Sequence, residues 1–166
     1  MARRATATVS SPAAPDGDRS PPSLGALPTY LGYTIRRAQI ALFRDFEQRM
    51  AALDITPGQF SLLTLVDANP GISQVALARV HGLDKSTLTP AVDRLAQRGL
   101  IDRQRDPSDR RYYALALTET GKRALSKVME RVEDQERVMA HALSPDDSAQ
   151  MIDALRRITR ALDESS

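Results

Sequence analysis

The chain contains no cysteine and no tryptophan. The first absence excludes disulfides, thiol redox sensing and cysteine-ligated zinc in one step. Only two histidines occur, His81 and His141, too far apart in sequence to suggest a metal site, so neither metal nor cofactor is expected. Aromatic residues make up 4% of a chain that is 42% hydrophobic, which points to helices packed through Leu, Ala, Val and Ile. No run approaches the roughly 18 apolar residues that span a bilayer, and the N-terminus lacks the apolar centre of a signal peptide. A soluble, cytoplasmic protein with no membrane partner is the expectation. The excess of one sign of charge is small as well, with 23 Lys and Arg against 21 Asp and Glu. The formal net charge is +2 over 166 residues, so attraction to nucleic acid has to come from local patches. No nucleophile–base pair, carboxylate dyad, phosphate loop or metal cluster is recognisable, so an enzyme is not expected.

What is present centres on residues 83–121. Asp84 is suited to cap a helix, its carboxylate accepting from free first-turn amides. Leu88, Val92 and Leu95 repeat at helical spacing, and Gly99 after Arg98 is a stop that takes the left-handed conformation cheaply. Residues 101–105 and 113–117 then alternate like half-buried strands. Between them Asp106-Pro107-Ser108-Asp109 has the chemistry of a type I turn. Arg103, Arg105, Arg110 and Arg111 surround that turn.

The flanks read as helices. Residues 1–28 hold five of the ten prolines among Ser, Ala, Asp and Gly, a composition that cannot bury enough apolar surface to offset its ordering entropy. Residues 29–53 form a long helix with Leu31, Ile35, Ala38, Leu42, Phe46 and Leu53 on one face and Tyr33, Ile40 and Phe43 on a second. Two apolar stripes suggest burial on both sides, hence a second subunit. Arg36 and Arg37 interrupt this helix; they either snorkel or pair with a carboxylate, or they capture an anionic ligand at a cavity edge. Thr56-Pro57 opens the next helix, with Phe60, Leu63, Leu65 and Val66 as core residues and Asn69-Pro70-Gly71 as its end. Ser73 caps a short helix over 74–80 with Val75, Leu77 and Ala78 inward, and His81, read as structural, sits at the turn into the helix from Asp84. Two short helices joined by a glycine-containing turn make a helix-turn-helix. After Thr118, Leu125, Val128, Val132 and Met139 mark a helix through Leu143. Ser144-Pro145-Asp146-Asp147 starts another, whose Met151, Leu155, Ile158 and Leu162 have the spacing of a helix pairing with another.

DNA recognition requires some side chains to grip phosphates and others to reach base edges. Lys85, Ser86, Thr87 and Thr89 cluster at the end of the second helix that normally enters a major groove. Pro90 is unusual so far into a helix; its ring can offer an apolar contact to a thymine methyl. Arg94, one turn on, can reach a phosphate or guanine. In the hairpin, arginine suits a narrow minor groove, with Asp109 orienting a neighbouring guanidinium. The bland alternative is a solvated hairpin with internal ion pairs.

At Leu83-Asp84-Lys85-Ser86-Thr87-Leu88-Thr89, at Arg94-Leu95 with Arg98-Gly99-Leu100, and at Asp109-Arg110-Arg111 leading to Leu117-Thr118 and Gly121, the sequence resembles the MarR (multiple-antibiotic-resistance regulator) family. The resemblance runs from about residue 29 to the C-terminus. It implies a mainly α fold with a small β wing. Dimerisation helices over 29–55 and 118–166 would flank a winged helix-turn-helix lobe over 56–117, behind a disordered tail, 1–28. It also implies a homodimer on a near-palindromic double-stranded DNA operator, usually a repressor released by a small ligand or oxidant. By matching positions, Asp109 and Arg111 take the wing's Asp-x-Arg roles, with Arg111 in the minor groove, and Ser86, Thr87 and Thr89 lie in the base-reading region. The full DNA-contacting set is Ser73, Gln74, Lys85, Ser86, Thr87, Thr89, Pro90, Arg94, Arg105, Asp109, Arg110 and Arg111. The segment 31–39, with Phe43 and Phe46, is similar to the branch controlling aromatic-acid catabolism, which senses phenolic carboxylates or their coenzyme A thioesters. Tyr33, Arg36, Arg37, Ile40, Phe43 and Phe60 are the candidate effector residues. A winged-helix protein-interaction module that never touches DNA is the alternative from another class.

Overall fold

A computed structural model of the protein describes residues 22–82, 84–105 and 113–165. The order is a 3₁₀ turn (Leu27–Thr29), α1 (Leu31–Met50), α2 (Pro57–Ala68), β1 (Ile72–Ser73), α3 (Gln74–His81), α4 (Lys85–Gln97), β2 (Ile101–Arg105), β3 (Tyr113–Leu117), α5 (Glu119–Ala142) and α6 (Pro145–Asp163). The chain divides into two compact units at Arg37. In the described part of the first, Pro28 sits in the 3₁₀ turn, whose last residue returns its hydroxyl to the Ala26 carbonyl at 2.8 Å. That turn delays α1 to Leu31, where the sequence suggested a start two residues earlier.

The second unit, from Ala38 on, holds the core. Leu62, Leu63 and Val66 of α2 pack with Leu77 of α3, Leu88, Val92 and Leu95 of α4, Leu115 of β3 and Val128 of α5, all fully buried. The helix boundaries follow capping chemistry. Thr56 and Gln59 form a reciprocal capping box at the start of α2, and Ser144 with Asp147 another at α6. Ser73, Asp84 and Thr118 each accept a first-turn amide, satisfying donors that a helix leaves open. α1 ends at Met50, three residues short of the expected Leu53; a turn follows in which the Leu53 and Asp54 amides both donate to the Met50 carbonyl and Asp54 stands at φ 50°.

β3 pairs with β2 from Arg105↔Tyr113 to Ile101↔Leu117, the expected hairpin. On its other edge β3 pairs with β1 through Ile72↔Leu115 and Ser73↔Ala114. This third strand was not expected, since two residues are too few to show alternation. Val75 is exposed rather than inward. The buried face of α3 is centred on Leu77 and Ala78, with Gln74 and His81 half-buried beside them at helical spacing, and Val75 lies about a third of a turn off the centre of that face.

Candidate nucleic-acid interface

Helix α4 is set by its first turn. Asp84 Oδ1 accepts the Thr87 amide at 2.8 Å and the Ser86 hydroxyl at 2.6 Å. These bonds, the Ser86 hydroxyl first, hold the Asp84 carboxyl below the usual carboxylate range. With Leu88, Val92 and Leu95 in the core, the helix presents Ser86, Thr87, Pro90 and Arg94 outward, while Thr89 is half-buried. Arg94 Nε donates to the Pro90 carbonyl at 3.3 Å. Of the preceding helix, Ser73 and Gln74 are half-buried, and the Ser73 hydroxyl is engaged with the Ala76 amide at 3.2 Å.

Two arginines that the sequence placed only loosely have defined structural partners. Arg103 of β2 donates to Asp93 of α4, fixing the strand to the helix's flank. Arg98, at the C-terminus of α4, donates to the carbonyls of Asp54 at 2.5 Å and Leu53 at 3.0 Å, with the Asp54 carboxylate 3.6 Å away. The turn after α1 is therefore fastened to the end of α4. Between α2 and α4 a cavity of about 290 Å³ is lined by Thr56, Gly58, Gln59, Leu62, Thr87, Ala91 and Arg94. Asp109, Arg110 and Arg111, the turn from Asp106, and the side chains of Lys85 and Arg105 lie outside the described residues.

The candidate effector residues fall in separate places. Ile40 and Phe43 line a cleft of about 390 Å³ with Gln39, Arg44 and Glu47 on α1. Phe60 lines another, of about 400 Å³, with Ser61, Thr64, Leu65 and His81, and its ring lies 5.9 Å from that of Phe46. Tyr33, half-buried, and the exposed Arg36 and Arg37 belong to the N-terminal unit. Both ring nitrogens of His81 are enclosed without a partner.

Gln135 was not among the residues the sequence singled out. It is buried on α5 and donates to the Leu42 carbonyl at 3.0 Å and to Asp45 Oδ2 at 2.8 Å. The available signal was a lone amide in the stripe Val128, Val132, Gln135, Met139. Among the described residues no cluster of His, Cys, Asp or Glu suits a metal ion, and no helix is long and apolar enough to cross a membrane.

Comparison with known proteins places this arrangement. Residues 55–113 match the model of the MarR family. A protein of Thauera aromatica assigned as transcriptional regulator of the hcr operon is 36% identical, over 82% of this chain and 82% of its own length. Among solved structures, the repressor CouR bound to a 23-mer DNA duplex is 36% identical, with a TM-score of 0.79 over 84% of this chain and 99% of that one. CouR bound to p-coumaroyl-CoA is 34% identical, with a TM-score of 0.77 over 83% and 97%.

Proposed function

The chain belongs to the MarR family of transcriptional regulators, and on that premise we propose a homodimeric cytoplasmic repressor that binds a near-palindromic operator and is released by an aromatic carboxylate or its coenzyme A thioester. The observation that carries the DNA-binding part is the outward face of α4. Its two hydroxyls, proline ring and guanidinium are aimed by the Asp84 cap and by a helix whose opposite side is entirely core. Ser86, Thr87 and Thr89 contact bases or phosphates, and Arg94 the backbone or a guanine. Arg111 enters the minor groove from the wing, with Asp109 orienting it and Arg105 and Arg110 on neighbouring phosphates. The solved DNA complex of CouR supports this reading.

The effector class is supported by the p-coumaroyl-CoA complex of the same relative. Arg36 and Arg37 are the candidate cations for a carboxylate or phosphate; Ile40 with Phe43 in one cleft, and Phe60 in another, are alternative apolar surfaces, and Tyr33 is a further aromatic candidate. Ligand acts by favouring a dimer whose α4 helices no longer match half-sites about 34–36 Å apart. The test is fluorescence anisotropy on duplexes tiled across the gene's own upstream region, at two salt concentrations, with and without aromatic acids and their coenzyme A thioesters. Binding to one near-palindrome is expected, with log affinity falling against log salt by roughly 0.9 per phosphate contact, and to be lost with one compound. Arg111→Ala is expected to weaken it while leaving the dimer intact. No preference for any duplex would overturn the repressor; binding indifferent to every compound would overturn only the effector class.

A further inference from the structure

Helix α4 contains a residue that its own hydrogen bonding argues against. Pro90 lies inside the helix. It has no N–H to return to the Ser86 carbonyl, and its ring crowds that carbonyl. The core gains nothing from it, because α4 packs through Leu88, Val92 and Leu95, whereas Pro90 is exposed. Its position puts it on one face with Ser86 and Arg94, four residues to either side. On that exposed stripe Ser86 offers a hydroxyl and Arg94 a cation, and the Pro90 ring is the apolar element between them. Arg94 Nε donates to the Pro90 carbonyl at 3.3 Å, which ties the guanidinium to the same stripe.

A major groove presents hydrogen-bonding edges at every base pair and one apolar group, the C5 methyl of thymine. A rigid ring with no donor and no rotamers to freeze matches that group and no other base edge. We propose that Pro90 is a specificity-determining residue that reads a thymine methyl in each operator half-site, with Ser86 and Arg94 making the polar contacts on either side. The inference rests on the operator-binding reading above and adds to it the identity of a base.

Replacing each operator thymine in turn by deoxyuridine removes only the methyl and keeps the pairing edge. With the full-length protein, anisotropy is expected to show a loss of about threefold to fivefold at one thymine per half-site, the size of exposing one buried methyl group. Pro90→Ala restores a regular helix residue, so folding is not at risk, and circular dichroism confirms it. This variant is expected to bind equally well to the thymine and deoxyuridine forms at that position while keeping its response elsewhere. A wild-type protein indifferent to every deoxyuridine, or a Pro90→Ala protein with undiminished sensitivity at the same position, would overturn the assignment while leaving the repressor standing. Absence of binding to any duplex would remove the repressor and this inference together.

Discussion

Arg103 of β2 pairs with Asp93 of α4, so the first wing strand is joined to the helix that presents the reading face. The two side chains are 29% and 42% exposed, and Arg103 Nε is enclosed without a partner. The guanidinium is thus partly desolvated, and Asp93 is its counter-charge among the described residues. Asp93→Ala would leave that charge uncompensated. A loss of about 1 kcal/mol of stability is expected, discounted for the exposure. Operator affinity should fall as well, because the wing would be free to shift against α4. Urea unfolding and anisotropy on the same variant check both effects; an unchanged midpoint would show the pair to be solvated.

Gly121 makes a second junction, between α5 and the start of the wing. A Cβ built there would lie 2.0 Å from the Leu100 carbonyl oxygen. The contact is closed by Thr118, whose hydroxyl donates to the Gly99 carbonyl at 2.6 Å and accepts the Gly121 amide at 2.9 Å. Gly121→Ala must push backbone from backbone, and a destabilisation of about 1–3 kcal/mol is expected in thermal melts. Gly58, in the first turn of α2, has nothing within 4 Å of its built Cβ. Gly58→Ala is expected to be neutral or to stabilise by up to about 1 kcal/mol. Equal melting shifts for the two variants would refute the close packing.

These contacts mark what the sequence could and could not reveal. Thr56, Ser73, Asp84 and Ser144 were legible as caps because capping is decided within four residues; Thr118 was legible only as the start of α5, and the structure makes it the cap. The hairpin strands were legible from alternation, and the buried side of α4 from its period. Arg98 was visible only as a helix terminator, and Arg103 only as one of several wing arginines. Their partners, Asp54 and Asp93, are 44 and 10 residues away, and no local pattern encodes such a pairing. β1 escaped notice because its two residues owe their strand geometry entirely to β3. Of the candidate site, the direction of the α4 face followed from the helical period. The Phe60 cleft depends on how α2 packs with the end of α3 at His81, which no local pattern encodes.

Acid should expose the link between α1 and α5. Asp45 accepts from Arg49 at 2.5 and 3.2 Å and from Gln135 at 2.8 Å. Its carboxyl is held below the usual range, first by the Arg49 bond, against the opposing effect of desolvation. A carboxylate with a depressed folded pKa contributes stability that is present above the unfolded value of about 3.9 and is lost as pH falls through the folded one. The Asp45 side chain is 43% exposed, so the contribution is modest and weakened by salt. Asp45→Asn is expected to lower Tm slightly at neutral pH and to flatten the fall of Tm below about pH 4. Parallel wild-type and variant curves across that range would contradict the assignment.

The outer face of α6 carries an apolar strip. Met151, Leu155 and Leu162 are 47%, 41% and 62% exposed in the single chain, and with the half-buried Ile158 they recur at steps of four, three and four. That spacing is the seam of paired helices, and a contiguous apolar strip of this kind marks an interaction surface. A second copy of the chain covers it if the operator is read by a symmetric dimer. Met151→Glu combined with Leu155→Glu would place two charges in the seam without touching the core around α4. Sedimentation should then show a monomer with unchanged helix content. Operator binding should weaken by more than any single α4 substitution achieves, because the second half-site would no longer be held at high effective concentration. A dimer that survives both charges would place the subunit contact elsewhere, and a monomer that binds the full operator undiminished would break the link between pairing and reading.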